Sequence, residues 1–198
     1  MRLDQAIAQK YITSRNRAQF FIEHGLVSVD GVTAKKSSTD IINLDRVILN
    51  QEAPQTQYVS RSAEKLEKFI EFTELDVTGF HCLDVGASTG GFTQVLLARF
   101  ARSVVALDIG TAQLHPSLVG DERIVSLENT DIRNYESEIQ FDCIVGDISF
   151  ISLRLLLPSM IRHLRAHGIL IVLFKPQFEL QSNELTRSGI PKTEALRL

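Results

Sequence analysis

From His81 onward, short apolar runs alternate with amphipathic stretches, and this rhythm constrains the fold more than any other feature of the chain. It predicts strands near 81–86, 103–108, 123–127, 141–146 and 168–175, and helices near 91–99, 111–119 and 152–166. Short strands alternating with helices imply a parallel, doubly wound α/β sheet. Right-handed crossovers then set every strand C-terminus along one edge, where open sheets of this kind bind ligands.

Three of those strand ends carry chemistry. Asp84-Val-Gly-Ala-Ser-Thr-Gly-Gly-Phe92 follows the first, Asp147-Ile-Ser-Phe150 the fourth and Lys175-Pro-Gln-Phe-Glu179 the fifth. The small residues of Gly86-Ala87-Ser88-Thr89-Gly90-Gly91 let backbone amides approach a ligand, and the following helix N-terminus favours a carboxylate or phosphate. The spacing is neither G-x-G-x-x-G nor a Walker loop. Alone the loop is weak evidence, and a tight turn without a ligand is the alternative reading. Asp108 lies 22 residues beyond Gly86 at the end of the second strand. An acid there can accept hydrogen bonds from ribose hydroxyls, or simply cap the next helix. Asp131 can meet an adenine amino group or cap Ile132-Arg133. Together these positions point to S-adenosylmethionine as cofactor. Pro176 biases Lys175 toward extended backbone and ends the strand there. A lysine in that place can also simply reach solvent, and Asp147 can also serve as a helix N-cap.

The first 50 residues read as a small α+β unit. Leu3, Ala6 and Ile7 share a helical face. Ser14 caps a second helix that Gly25 ends, and Asp30-Gly31 signals a type I′ hairpin before a short strand at 47–49. Residues 51–60, polar and containing Pro54, read as a linker. Ser62 then caps a helix running to about Phe72, with Leu66, Phe69 and Ile70 inward. At about 100° per residue, Lys65 sits roughly 90° from that stripe and Lys68 roughly 150°.

A net charge of −3 gives no global nucleic-acid signal. Residues 1–60 hold 7 Lys/Arg against 6 Asp/Glu, so any RNA contact there depends on local placement. Cys82 and Cys143 sit in apolar runs and read as buried free thiols, which suits a reducing cytosol. There is no signal-type h-region and no run near the ~20 apolar residues of a membrane span, so no stable membrane association is expected.

Several motifs in order resemble the TlyA (haemolysin A) family of ribosomal RNA 2′-O-methyltransferases. They are Tyr58-Val-Ser-Arg-Ser-Ala-Glu-Lys-Leu66, the Asp84–Phe92 loop, Val145-Gly-Asp-Ile-Ser-Phe-Ile-Ser-Leu153 and Phe174-Lys-Pro-Gln-Phe-Glu179. At the N-terminus, Arg2-Leu-Asp4, Ser14-Arg15, Ala18 and Gly25–Gly31 resemble an S4-type RNA-binding domain. The resemblance implies an S4-like domain at 1–50, then, after the linker, an FtsJ-like methyltransferase domain at 61–198 of Rossmann-like class I fold. It implies methylation of a ribose 2′-hydroxyl, that of cytidine, in RNA of the small or large ribosomal subunit, in the cytoplasm. Lys65, Asp147 and Lys175 match the first three members of a Lys-Asp-Lys-Glu catalytic tetrad. The cofactor contacts implied are Asp84, the 86–91 loop, Phe92, Asp108, Asp131, Ile132 and Asp147. Candidate RNA contacts are Arg2, Arg15, Arg17, Lys35 and Lys36, although a charge cluster is also what an ordinary solvated face looks like.

The sequence departs from the family pattern at its end. The tetrad glutamate comes from a late strand, and the chain stops at Leu198 soon after the fifth, so that residue and the last two strands are expected to be absent. Glu179, Glu184 and Glu194 lie outside the matching motif. Asp131 replaces an expected asparagine, and Ser62-Ala63 a more glycine-like stretch. Two rival readings follow: a membrane-active haemolysin, and a noncatalytic RNA-binding module that retains the cofactor fold.

Overall fold

A computed structural model describes residues 1–11, 13–53, 57–186 and 188–192. The chain divides into two compact units, Met1–Lys65 and Leu66–Leu198. In the first, α1 (Leu3–Lys10) and α2 (Arg15–Glu23) accompany a small antiparallel sheet of β1 (Val27–Val29), β2 (Val32–Thr33) and β3 (Val47–Leu49), ordered β2-β1-β3. Ser14 caps α2 by accepting a hydrogen bond from the Arg17 amide at 3.2 Å. Gly25, at φ +68°, ends it. Asp30 and Gly31 both take positive φ, as the type I′ turn between β1 and β2 demands. Leu3, Ile7, Phe21, Ile22, Val27 and Val47 form the core.

The second unit holds five parallel strands: β4 (His81–Val85), β5 (Ser103–Leu107), β6 (Ile124–Leu127), β7 (Phe141–Gly146) and β8 (Leu164–Val172). Their order is β6-β5-β4-β7-β8. The chain thus builds outward from β4 in one direction and returns to build outward in the other, which puts the topological switch point between β4 and β7. Alternate residues of each strand face opposite sides. Leu83, Val85, Leu107 and Ile144 pack with Leu156 and Met160 of the helix Leu153–Arg162 on one side. On the other, Asp84 bonds Thr93 of α4 (Gly91–Ala98). With α3 (Ser62–Thr73) preceding the sheet, the helix Leu153–Arg162 is α5, and a short α6 covers Pro176–Glu179. Cys82 and Cys143 are buried free thiols facing each other in register on β4 and β7.

Four expectations give way here. No helix forms over 111–119. Ala112 takes φ +51°, Pro116 lacks an amide hydrogen and Gly120 takes φ +91°, so the helical ladder cannot run. The helix expected over 152–166 stops at Arg162. Leu164 already pairs with Phe141, and residues 165–168 bulge outward before Ile169 pairs with Cys143, with His167 at φ +63°. The fifth strand ends at Val172 rather than 175, so Lys175 sits beyond it as the residue before α6. On α3 the buried residues are Ala63, Leu66 and Ile70, while Phe69 is 41% exposed. The packed stripe is therefore rotated, and exposed Lys65 lies roughly 130° from its centre. Among the described residues no strand follows β8 beyond an isolated bridge of Leu185 to Pro191. Pro54 and Glu194 lie outside the described residues.

Ile144 is fully buried at the middle of β7. Ile144→Ala should lower unfolding free energy by about 2–5 kcal/mol. Urea denaturation would check this, and a loss under 1 kcal/mol would mean the sheet does not pack there as described.

Candidate active site

The loops after β4, β5, β7 and β8 meet at one edge of the sheet. The first turns sharply: Gly86 takes φ +75°, Ser88 +48° and Gly90 +86°. A Cβ on Gly90 would fall 2.5 Å from Leu118 and 2.7 Å from Leu114, so the 111–119 segment closes over this glycine as an irregular cover. The amides of Gly86 and Ala87 donate to the Leu107 carbonyl. The Ser88 amide donates to Asp108 at 2.7 Å, and the Gly110 amide to the other Asp108 oxygen at 2.7 Å. Asp108 thus ties the glycine loop to its own loop and caps no helix. Gly91 and Phe92 begin α4, where amides have no helical partner, while the Phe92 side chain is buried.

Asp84 is 1% exposed and faces α4 from below. One of its oxygens accepts from the Thr93 amide at 2.9 Å and the Thr93 hydroxyl at 2.7 Å. Burial raises its pKa to about 7 against the opposing Thr93 bonds, with the charges of Asp108 and Asp147 adding to the rise. Thr93 was not legible as a site residue. Its one cue is a hydroxyl two residues into the helix after a glycine loop.

Asp131 accepts from the Arg133 amide at 2.9 Å and pairs with the Arg133 guanidinium at 2.6 Å, which holds its pKa below the usual carboxylate range. That is the capping role, with the ion pair added. Ile132 packs in the core beneath the sheet.

Between the loops after β7 and β8, Asp147 and Lys175 come together. Lys175 Nζ lies 2.7 Å from Asp147 Oδ1, and both side chains are largely buried. The ammonium also donates to Ser149 Oγ at 2.6 Å and to the Asp147 carbonyl at 3.2 Å. Its Nζ is 6.0 Å from the Phe178 ring centroid. Phe150, 91% exposed and at φ +67°, lies 5.3 Å from Phe178. Glu179 points elsewhere. Its two oxygens accept from Ser152 Oγ and the Leu153 amide, each at 2.6 Å, at the start of α5. Ile148 lies against Gly86 and Gly146, filling the space between the two loops. Lys65 sits on the exposed side of α3.

In the first unit a different arrangement holds the candidate RNA contacts. Asp4 is fully buried and receives hydrogen bonds from Arg2 (3.1 Å), Gln19 (2.8 Å) and Arg15 (2.9 Å). These bonds, Arg2 first, hold its carboxyl far below the usual range against the cost of burial. Arg2 and Arg15 remain 41% and 49% exposed. Arg17 packs over the Phe21 ring at 5.1 Å, and burial lowers its pKa. Lys35 and Lys36 are exposed. A hollow of about 490 Å³ lined by Ile70, Asp76, Arg99 and Phe100 lies in the second unit among residues outside the strand-end site.

Comparison with known proteins follows the same division. Residues 58–197 match the FtsJ-like methyltransferase family and residues 1–41 the S4 domain. A 23S rRNA (cytidine-2′-O)-methyltransferase TlyA of Campylobacter jejuni is 39% identical over 98% of this chain and 82% of its own length. The 16S/23S rRNA (cytidine-2′-O)-methyltransferase TlyA of Mycobacterium tuberculosis is 37% identical over 99% of this chain and 74% of its own. Hemolysin A of Brachyspira hyodysenteriae is 39% identical over the whole chain and 83% of its own length. A solved structure of a candidate hemolysin from Streptococcus thermophilus superposes with a TM-score of 0.70 at 33% identity, over 99% of this chain and 73% of that one.

The raised pKa of Asp84 makes a signed prediction. Its carboxyl costs the fold nothing below pH about 4, where it is protonated folded or unfolded. The stability it leaves intact there is lost as pH rises through about 7 and the buried group must ionise. Asp84→Asn keeps an acceptor for Thr93 and removes the charge. Its unfolding free energy relative to the native chain should rise by up to about 4 kcal/mol between pH 4 and 8. Urea midpoints at pH 4, 6 and 8 would check this, and a constant difference would refute it.

Proposed function

Since the chain belongs to the TlyA branch of the FtsJ-like methyltransferases and begins with an S4 domain, we propose that it methylates a ribose 2′-hydroxyl of cytidine in ribosomal RNA, in the cytoplasm. The observation that carries the site assignment is the Asp147–Lys175 ion pair between the loops after β7 and β8, with Ile148 packed against Gly86 of the glycine loop.

The donor set suits S-adenosylmethionine. The first amides of α4 favour its carboxylate. Asp108 oxygens, each already holding one amide, keep lone pairs for ribose hydroxyls. Asp131 and the Ile132 backbone would border the adenine. Bound there, the cofactor supplies an activated methyl group on a sulfonium.

The chain's own part is to prepare the acceptor. A 2′-hydroxyl is a poor nucleophile until its proton leaves. After the Lys175 ammonium has released one proton to solvent, its neutral amine orients that hydroxyl and takes its proton as the methyl group is transferred, and the Asp147 carboxylate stabilises the ammonium that is regenerated. Ser149 fixes the lysine rotamer. Phe150 and Phe178 offer an exposed aromatic face beside the lysine on which an unstacked base can rest. Lys65 is the first lysine of the tetrad by motif, and Arg2, Arg15, Arg17, Lys35 and Lys36 would hold folded RNA by its phosphates. We read the domain limits as 1–50 and 61–198 with a linker at 51–60; the family matches cover 1–41 and 58–197.

The haemolysin reading has the name of relatives in its favour. Among the described residues no helix is long and apolar enough to cross a membrane.

Incubation of the purified chain with methyl-labelled cofactor and unmodified ribosomal subunits should place label on ribose. Lys175→Ala should reduce transfer by 10²-fold or more while cofactor affinity, read by calorimetry, changes less than threefold. Full transfer by the variant would remove Lys175 from the mechanism. Cofactor-independent liposome leakage without labelling would favour the haemolysin reading instead.

A further inference from the structure

The site rests on two separate loops, 147–152 after β7 and 173–179 after β8, and each carries half of the Asp147–Lys175 pair. Three of the contacts between them run through Lys175 itself: to Asp147 Oδ1, to the Asp147 carbonyl and to Ser149 Oγ. A lysine that turns to a substrate hydroxyl must surrender some of these. Something else must then keep the loops in register. The Phe150–Phe178 contact is open to solvent on the Phe150 side and stands to be used by a base.

Besides the Leu173 amide, which donates to the Gly146 carbonyl at 3.0 Å at the base of the two loops, Glu179 supplies a side-chain tie between them that does not involve Lys175. Its side chain is 6% exposed. It spans from the end of α6 to the start of α5, accepting two 2.6 Å hydrogen bonds from Ser152 Oγ and the Leu153 amide. A buried carboxylate on a helix N-terminus is a strong, charge-assisted anchor. Arg154 stands 3.8 Å away on the solvent side. The Glu179 oxygens are thereby committed to α5. We propose that Glu179 is a positioning residue that locks the Lys175 loop to the Asp147 loop independently of Lys175, so that the lysine can exchange partners without losing its aim. This rests on the methyltransferase reading above.

The role separates from plain stabilisation by what it changes. Glu179→Ala should lower kcat for labelled methyl transfer by on the order of 10- to 100-fold, because a displacement near 1 Å between reacting groups has that effect. Cofactor Kd and the KM for ribosomal subunits should stay within threefold. Glu179→Gln, which still accepts from Leu153, should recover at least a third of the native kcat. Phe141→Leu, at the opposite end of β7 from the site, supplies a control destabilised in the core. It should lose thermal stability yet keep its kcat at an assay temperature well below its Tm. Glu179→Ala with native kcat, or a kcat loss that Phe141→Leu shares, would overturn the positioning role. A native chain that transfers no methyl group would overturn the functional reading and this role with it.

Discussion

Everything at the site depends on β4 being hydrogen-bonded on both sides, to β5 and to β7. That pairing fixes where three loops leave the sheet. Gly146, in register with Val85, and Gly86, the residue after Val85, keep the two central exits low enough for Ile148 to lie between them. Asp84 then carries the constraint into the helix layer, because its buried carboxylate holds the first turn of α4 through Thr93. The same residue lies between a fold requirement and a chemical one. Its burial disfavours the charge, while two bonds from Thr93 favour it.

The strands were legible because each is a compact apolar run. Four of the five begin and end within a residue or so of where periodicity put them. The fifth was misjudged at both ends for a physical reason. Its apolar stretch runs on past the last paired residue, and its first pairing, Leu164 with Phe141, is separated from the rest by a bulge that no local pattern announces. The helix expected at 111–119 came from the strand–helix alternation, and the cap that Asp108 could have given it is absent because its oxygens bind amides of two loops. On α3 a stripe of three large apolar residues outweighed Ala63, so Phe69 was turned inward and Lys65 too close to the packed face.

Of the candidate site, residue identity was readable and residue partnership was not. Asp147 and Lys175 could be named from strand ends, since any charge there faces the ligand edge. Nothing in their spacing of 28 positions showed that Ser149 completes the lysine's contacts or that Glu179 serves α5. Such partners are chosen by loop conformation, which depends on contacts across the sheet rather than along the chain. Asp131 illustrates the limit in the other direction. Its motif position suggested a ligand contact, yet Arg133, two residues on, competes for both oxygens.

The first unit bears on how the proposed RNA contacts of its S4 domain can work in a chain with a net charge of −3. Bulk charge attracts phosphates at long range but does not aim at them. Asp4 works at short range. By burying one negative charge beneath Arg2 and Arg15 it gives up part of the unit's positive balance and gains two guanidiniums with restricted rotamers and outward donors. An arginine so held loses less side-chain entropy on meeting a phosphate than a free one, and its planar fork is already oriented. Organisation of a few cations thus substitutes for an excess of them. A low net charge also limits retention on nonspecific nucleic acid.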